Sequence, residues 1–200
     1  MGVSGPLKPA RASQTRSLLD QIPHWSPSWR TSANIAVTVL SLLLCATVMP
    51  MRFPGIDLLG VGPNWVLIWV VSWSMFHGVW PSLVAGLVAG AIMDGLTSPE
   101  PTHMVPLALV AVLTAQLRRR RLIEDEFGML MLLVFALVAI AETVFAVQFL
   151  LQGQRDPADV WALHQWLTLC SAILTSLWAP VVYVPLRLWW QRIAQGERSP

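Results

Sequence analysis

The sequence predicts an all-α, polytopic membrane protein with six transmembrane helices and with both termini in the cytoplasm. Of its 200 residues, 55% are hydrophobic and only 12% are charged, which is about half the charged share of a soluble domain. No Asp, Glu, Lys or Arg occurs between Asp57 and Asp94, or between Asp159 and Arg187. Uncharged stretches of that length are typical of chain that hydrocarbon solvates. The composition therefore excludes most classes of soluble enzyme.

Apolar segments define the six predicted spans, each near the roughly 20 residues that cross a hydrocarbon layer about 30 Å thick. Residues 1–32 are polar and contain many Pro and Ser residues, so they are predicted to form a disordered cytoplasmic leader. Residues 33–190 are predicted to form the transmembrane domain, and residues 191–200 a cytoplasmic tail. The predicted spans are 33–50, 63–76, 81–96, 103–117, 127–151 and 160–187.

Basic residues determine the predicted orientation. With the N-terminus in the cytoplasm and six crossings, eleven of the 13 basic residues fall on the cytoplasmic side, and only Arg52 and Arg155 fall outside. Cytoplasmic loops of membrane proteins carry such an excess of Lys and Arg. One cytoplasmic loop begins with the basic run Arg118, Arg119, Arg120 and Arg121. We interpret this run as an orientation signal that attracts anionic lipid headgroups, with docking of a cytoplasmic partner as the alternative.

Small and polar residues recur every fourth position on the third span. They are Ser82, Gly86, Gly90 and Asp94, and we call this set the small-residue face. Residues 86–90 match the GxxxG pattern, which lets two helix backbones approach closely in lipid. The face is predicted either to pack against another helix of this chain or to dock a different membrane protein.

Two acidic residues lie within predicted spans. Asp94 is near the end of the third span, where it either bonds the backbone of the following loop or acts as a buried polar anchor for the 97–102 loop or a partner. Glu142 is near the middle of the fifth span, where a charge is costly. We expect Glu142 to face protein, either as a polar contact between helices or as a contact with a partner or substrate.

A tryptophan stripe runs along the second span, with Trp65, Trp69 and Trp73 at positions i, i+4 and i+8. Such a stripe is typical of packing or of lipid contact, and an aromatic docking face is the alternative.

No motif predicts catalysis, so we expect the protein not to be an enzyme. Intramembrane proteases need two facing aspartates, a serine with a histidine, or an HExxH motif, and the sequence has none of these arrangements. The predicted topology puts His77 and His103 on opposite sides of the membrane, where they cannot share a metal. Cys45 and Cys170 are predicted to be small core residues. We therefore predict no catalytic residue, no metal or cofactor site, and no nucleic-acid partner.

The region from the second to the fourth span resembles the rod shape-determining protein MreD family. The resemblance is carried by the segment PNWVLIW at 63–69, the turn HGVWP at 77–81, and the segment GLVAGAIMDGL at 86–96. The resemblance places the family's Gly position at Gly86 or Gly90 and its Asp position at Asp94. The best match covers residues 60–117, and the six-helix layout extends it to most of the chain.

The resemblance implies a non-enzymatic component of the bacterial cell-elongation machinery in the cytoplasmic (inner) membrane. It implies association with the bitopic protein MreC, with the MreB filament directly or indirectly, and with peptidoglycan synthases. The mechanism that it favours is a membrane adaptor that binds MreC or a synthase through a helix face.

The alternative is a substrate-binding membrane subunit of a vitamin or small-molecule transporter, a class that also has six helices and similar size. Such a binder needs convergent polar groups, for which the spans offer Glu142, Asn64, Gln148, Gln165 and His164.

Overall fold

The described part of the chain forms six helices, the number that the sequence predicts. The computed structural model describes residues 27–51, 57, 60–97, 101–120, 127–153 and 157–198. These residues form no strand, so the predicted all-α class is confirmed. The helices are α1 (Pro27–Val48), α2 (Trp65–Ser74), α3 (Val79–Leu96), α4 (Met104–Arg119), α5 (Phe127–Gln152) and α6 (Pro157–Arg198).

Each helix overlaps one predicted span, but the outer bounds differ. The first helix begins at Pro27, inside the predicted leader 1–32, and the last continues to Arg198, inside the predicted tail 191–200. A hydropathy pattern marks the part of a helix that lipid can contact, whereas backbone hydrogen bonding continues into the aqueous interface. Residues 1–26 of the predicted leader lie outside the described residues, and so does Arg121.

Among the described helices, four contain segments that are long and apolar enough to cross a bilayer. These segments are Ser28–Val48, Val79–Leu96, Gly128–Gln152 and Val160–Ala194. In contrast, α4 has 16 residues and α2 has only 10. At 1.5 Å per residue α2 is about 15 Å long, half the thickness of the hydrocarbon layer. The second predicted span therefore contains a helix that is too short to cross alone.

Protein, rather than lipid, surrounds α2. Its residues Val66 to Val71 are all at most 2% exposed, and it contacts each of the other five helices. The Asn64 side chain caps its first turn by accepting a hydrogen bond from the Leu67 amide at 3.0 Å. The Asn64 amide in turn donates to Thr175 Oγ1 of α6 at 2.9 Å. Because all these groups have protein partners, a short helix with polar flanks is tolerated at this position.

Two antiparallel hairpins, α3–α4 and α5–α6, enclose α2, and their helices have the most extensive contacts in the structure. The first helix packs mainly on α2 and touches α3 and α6 less. A hydrogen bond of 2.9 Å from Trp69 Nε1 to Ser41 Oγ joins α2 to α1.

The beginning of α1 and the end of α6 lie at the same end of the bundle. Trp189 Nε1 donates to Asn34 Oδ1 at 3.3 Å, and His77 packs against Trp190. A cavity next to His77 is also lined by Arg118 and Arg119. We call this the arginine end. The start of α1 and the end of α6 thus lie at the end of the bundle where the basic run begins.

The opposite end, which we call the hairpin end, has two levels. Met49 after α1, Asn64 before α2, Met93 of α3 and His103 before α4 line one cavity together with Glu142 of α5. The fifth helix continues ten residues beyond Glu142 to Gln152, about 15 Å. The α5–α6 hairpin therefore projects past the ends of α1, α3 and α4.

Candidate functional site

The small-residue face lies against α4. A Cβ atom added to Gly86 would be 2.6 Å from the carbonyl oxygen of Leu107, and one added to Gly90 would be 2.6 Å from the amide nitrogen of Met104. Ser82, on the same face, is fully buried. Because backbone atoms of α4 occupy the space of a side chain, this face is used for packing within the chain.

Asp94 joins the end of α3 to the start of α4. Its Oδ2 accepts a hydrogen bond from Thr102 Oγ1 at 2.6 Å, and its Oδ1 accepts one from the His103 amide at 2.7 Å. His103 Nδ1 also lies 2.7 Å from Oδ1. The carboxylate thus satisfies free donors at the N-terminus of α4, where negative charge is stabilising. Of the roles predicted for Asp94, the structure shows hydrogen bonds to residues at the end of the loop before α4.

Sequence reasoning did not identify Thr102 as a partner of Asp94. The usable signal is a Thr-His pair immediately before an apolar helix, since hydroxyl residues are frequent at helix starts. His103 lies near the hairpin end and His77 near the arginine end, so they are as far apart as the predicted topology requires.

The tryptophan stripe is part of the core and of the α2–α6 contact. Trp69 is only 2% exposed, and it stacks on Trp73 at 5.7 Å between ring centroids. Trp73 contacts Trp190 edge-on at 5.4 Å, and Trp65 contacts Trp178 at 5.5 Å. These contacts match the packing interpretation of the stripe.

His77 extends this aromatic cluster into the turn before α3. Its ring is stacked 3.5 Å from the Trp73 ring, and its Nδ1 donates to the Trp73 carbonyl at 2.9 Å. Burial lowers the pKa of His77, an effect that the hydrogen bond to Trp73 partly opposes. The neighbouring cavity of about 360 Å³ has Arg118 and Arg119 in its wall.

Glu142 faces protein, and it lies between two cavities. One, of about 200 Å³, is formed by α5 and α6 alone, and the other, of about 100 Å³, is the cavity at the level of Met49 and His103. The only hydrogen bond to its carboxylate among the described residues is a long one, 3.4 Å, from Ser171 Oγ. Glu142 is central in the sequence of α5, but it lies level with the ends of the shorter helices. Its depth in the bundle is therefore less than its position in the span suggests.

His164 lies on the other wall of the larger cavity. Its Nδ1 is 3.1 Å from Thr168 Oγ1, and its Nε2 is 3.5 Å from Thr143 Oγ1. The remaining wall is apolar. The seven lining residues are Glu142, Phe145, Ala146, Phe149, Val160, His164 and Leu167.

Of the polar residues considered for a small-molecule binder, three line these two cavities. Glu142 lines both, Asn64 the smaller and His164 the larger, whereas Gln148 and Gln165 line neither. No group of three His, Cys, Asp or Glu side chains that could hold a metal ion occurs within the described ranges. Cys45 and Cys170 are buried and unpaired with each other.

Comparison with known proteins identifies one family. The model of the family described as rod shape-determining protein MreD matches residues 31–192. No significant match was found among the curated proteins or among the solved structures.

Proposed function

Because this chain belongs to the MreD family, we propose that it is a non-enzymatic adaptor of the cell-elongation machinery in the bacterial cytoplasmic membrane. The observation that carries the proposal is the extent of the family match. Residues 31–192 include part or all of each of the six helices. The match thus extends over parts of all six helices, which supports a role of the bundle as a unit.

The adaptor's partners, in this proposal, are an MreC-like bitopic protein, peptidoglycan synthases and, directly or indirectly, an MreB-type filament. We assign these partners to a surface other than the small-residue face, because α4 packs against that face. A partner helix needs a surface that remains accessible from lipid.

A groove between α1 and α3 meets that requirement. Its volume is about 550 Å³, and its wall combines the exposed side of α1 with that of α3. Trp80 at its rim is 78% exposed. We assign this groove to the membrane segment of the MreC-like partner. It is lined by Thr38, Val39, Leu42, Trp69, Trp73, Trp80, Pro81, Val84, Ala85 and Val88.

Substitution of Val84 by Trp tests the groove, because Val84 is 56% exposed and its enlargement fills the space of a docked helix. Leu177 on α6 is a matched control, since it is 59% exposed and lies outside the groove. We expect the V84W variant to lose co-purification of the MreC-like protein from native membranes and the L177W variant to keep it. Equal capture by both variants would remove the groove from the proposal.

At the arginine end, Arg118, Arg119 and Arg120 are proposed to face the cytoplasm. There they attract anionic headgroups by about 1 kcal/mol per residue, or they contact cytoplasmic components. Both roles require the orientation with the termini inside.

Depletion of the protein tests the function as a whole. An adaptor of cell elongation predicts that depleted cells lose their rod shape and become round. The transporter alternative, which the cavities at Glu142 favour, predicts lost uptake of a small molecule in cells of normal shape. Cells that keep their shape and lose uptake would overturn the adaptor proposal.

A further inference from the structure

The larger cavity beside Glu142 has the features of a small binding site. It is formed by one face of α5 and one face of α6, and it adjoins the smaller cavity, with which it shares Glu142 and Phe145. The two cavities have volumes of about 200 Å³ and about 100 Å³, so the site suits a ligand smaller than those of typical pockets, which begin at about 300 Å³. A ligand of modest size therefore fits, with Glu142 at its centre.

No basic side chain in the described walls of the two cavities pairs with Glu142. Neither cavity has Lys or Arg in its described wall. His103 is engaged by Asp94, and both ring nitrogens of His164 face threonine hydroxyls. A carboxylate with one long hydrogen bond in an apolar wall is stabilised by a cation that arrives with a ligand.

The aromatic rings of the wall fit the same chemistry. Phe145 and Phe149 lie 5.6 Å apart at an interplanar angle of 72°. Aromatic faces attract ammonium groups, and this attraction is stronger away from water. Val160 and Leu167 complete a wall that suits a short apolar body.

We propose that the Glu142 cavity binds a small molecule in which a protonated primary amine is attached to an apolar body. The ammonium group contacts the Glu142 carboxylate and the ring of Phe145, and the apolar body lies between α5 and α6. The amine is either a free small molecule or the headgroup of an aminophospholipid at the hairpin end. This site is independent of the adaptor function.

Paired ligands test the charge requirement on the full-length protein in neutral detergent. Phenethylamine is the probe, and 2-phenylethanol has the same apolar body without the charge. We expect phenethylamine to raise the thermal unfolding midpoint in a saturable manner and the alcohol to have no such effect. Equal shifts with both compounds, or none with either, would overturn the proposal.

Nanodiscs distinguish the two sources of the amine. A higher midpoint in phosphatidylethanolamine than in phosphatidylglycerol, lost on substitution of Glu142 by Gln, identifies the lipid headgroup. Equal midpoints in the two lipids, together with binding of phenethylamine, identify a free amine. An E142Q variant that keeps the lipid difference contradicts a lipid site at Glu142.

Variants locate the binding site. Loss of a charge-assisted hydrogen bond predicts that E142Q weakens phenethylamine binding by about tenfold or more. The double variant E142Q/Q165E restores the net charge but places the carboxylate on an exposed position of α6 outside the cavity. It is expected to bind as weakly as E142Q. Recovery of binding in the double variant would show that any carboxylate on the hairpin suffices, and the cavity would be excluded.

The site can also be tested on the unmodified protein, so that the result does not depend on whether the E142Q variant folds. Dicyclohexylcarbodiimide reacts with protonated carboxyl groups in apolar surroundings, and we expect mass spectrometry to detect a reaction product on Glu142. Because a primary amine can also convert the activated carboxyl to an amide, the readout is the fraction of unmodified Glu142, and both the acylurea and the phenethylamide count as reaction. Phenethylamine is expected to preserve unmodified Glu142, whereas 2-phenylethanol is not. Unchanged labelling in the presence of saturating phenethylamine would refute the site.

Discussion

Gly90 marks the position where two helix backbones of the bundle are in contact, because α4 begins directly against it. Substitution by Leu forces the helices apart, and we expect it to lower the free energy of unfolding by about 1–3 kcal/mol. The variant should still insert into the membrane, since the third helix remains apolar. Thermal unfolding of the purified protein measures the effect.

Gly95 provides the control on the same helix, because a Cβ atom there would meet nothing within 4 Å. Its replacement by Leu is expected to change the free energy of unfolding by less than about 0.5 kcal/mol. If G90L and G95L unfold at the same temperature, close packing at Gly90 is not needed for stability. If G90L alone is destabilised, any loss of partner capture in that variant is expected to follow from altered α3–α4 packing.

Asp94 acts as a remote cap for α4, since its carboxylate accepts hydrogen bonds from Thr102 and from the His103 amide. Replacement by Asn keeps the shape but removes the charge and one acceptor oxygen. We expect a loss of about 1 kcal/mol in the free energy of unfolding. A double-mutant cycle with Thr102→Val should show less than additive losses, because both variants remove the same bond.

The Thr47→Val variant is the control for Asp94→Asn, since the Thr47 hydroxyl is exposed and bonds only carbonyls of its own helix. It should leave stability nearly unchanged. Full additivity in the Asp94–Thr102 cycle would contradict the capping role.

At the scale of elements, the turn between α2 and α3 contains a titratable stack. Burial lowers the pKa of His77, so the folded protein binds this proton less readily than the unfolded chain, whose histidines titrate near pH 6.5. Stability is therefore expected to fall as the pH decreases from about 7.5 to about 5.5. Thermal midpoints across this range measure the effect.

His77→Phe keeps a ring next to Trp73 but cannot be protonated. The variant should show a smaller drop of the midpoint on acidification than the unmodified protein. If both proteins lose stability equally over this pH range, the pH dependence arises elsewhere and His77 does not contribute to it.

The elements also show which structural features the sequence can reveal. Apolar segments located all six helices, because lipid and a buried core both require apolar side chains. They did not reveal that the second helix ends at Ser74 after 10 residues. A hydrophobic run in lipid and one enclosed by other helices look alike, and only the surrounding helices distinguish them.

The same limit applies to the candidate site. Periodicity identified the small-residue face, and the structure shows that its neighbour is α4. The partners of Asp94 depend on how the end of α3 meets the start of α4. The cavity at Glu142 depends on contacts between α5 and α6, which bring together residues such as Glu142 and His164. The sequence identified the polar residues but could not show which of them lie close together in the fold.

At the scale of the whole molecule, the orientation in the membrane remains a prediction, with the arginine end inside. Arg120 and Gln152 are matched reporters, since both are exposed and lie at opposite ends of the bundle, Arg120 directly after α4 and Gln152 as the last residue of α5. In a C45A/C170A background, a single cysteine is introduced at either position. Positive-inside bias predicts that Q152C reacts with a membrane-impermeant maleimide in intact spheroplasts and that R120C reacts only after permeabilisation.

The two native cysteines are both buried, so their replacement by Ala removes background labelling without removing exposed groups. Labelling of R120C in intact spheroplasts, with Q152C protected, would show that the orientation in the membrane is the reverse of the predicted one. The hairpin end would then face the cytoplasm, and the proposed contacts of the arginines with cytoplasmic components would be wrong. The groove between α1 and α3 is unaffected by such an inversion, so V84W separates the adaptor surface from the orientation.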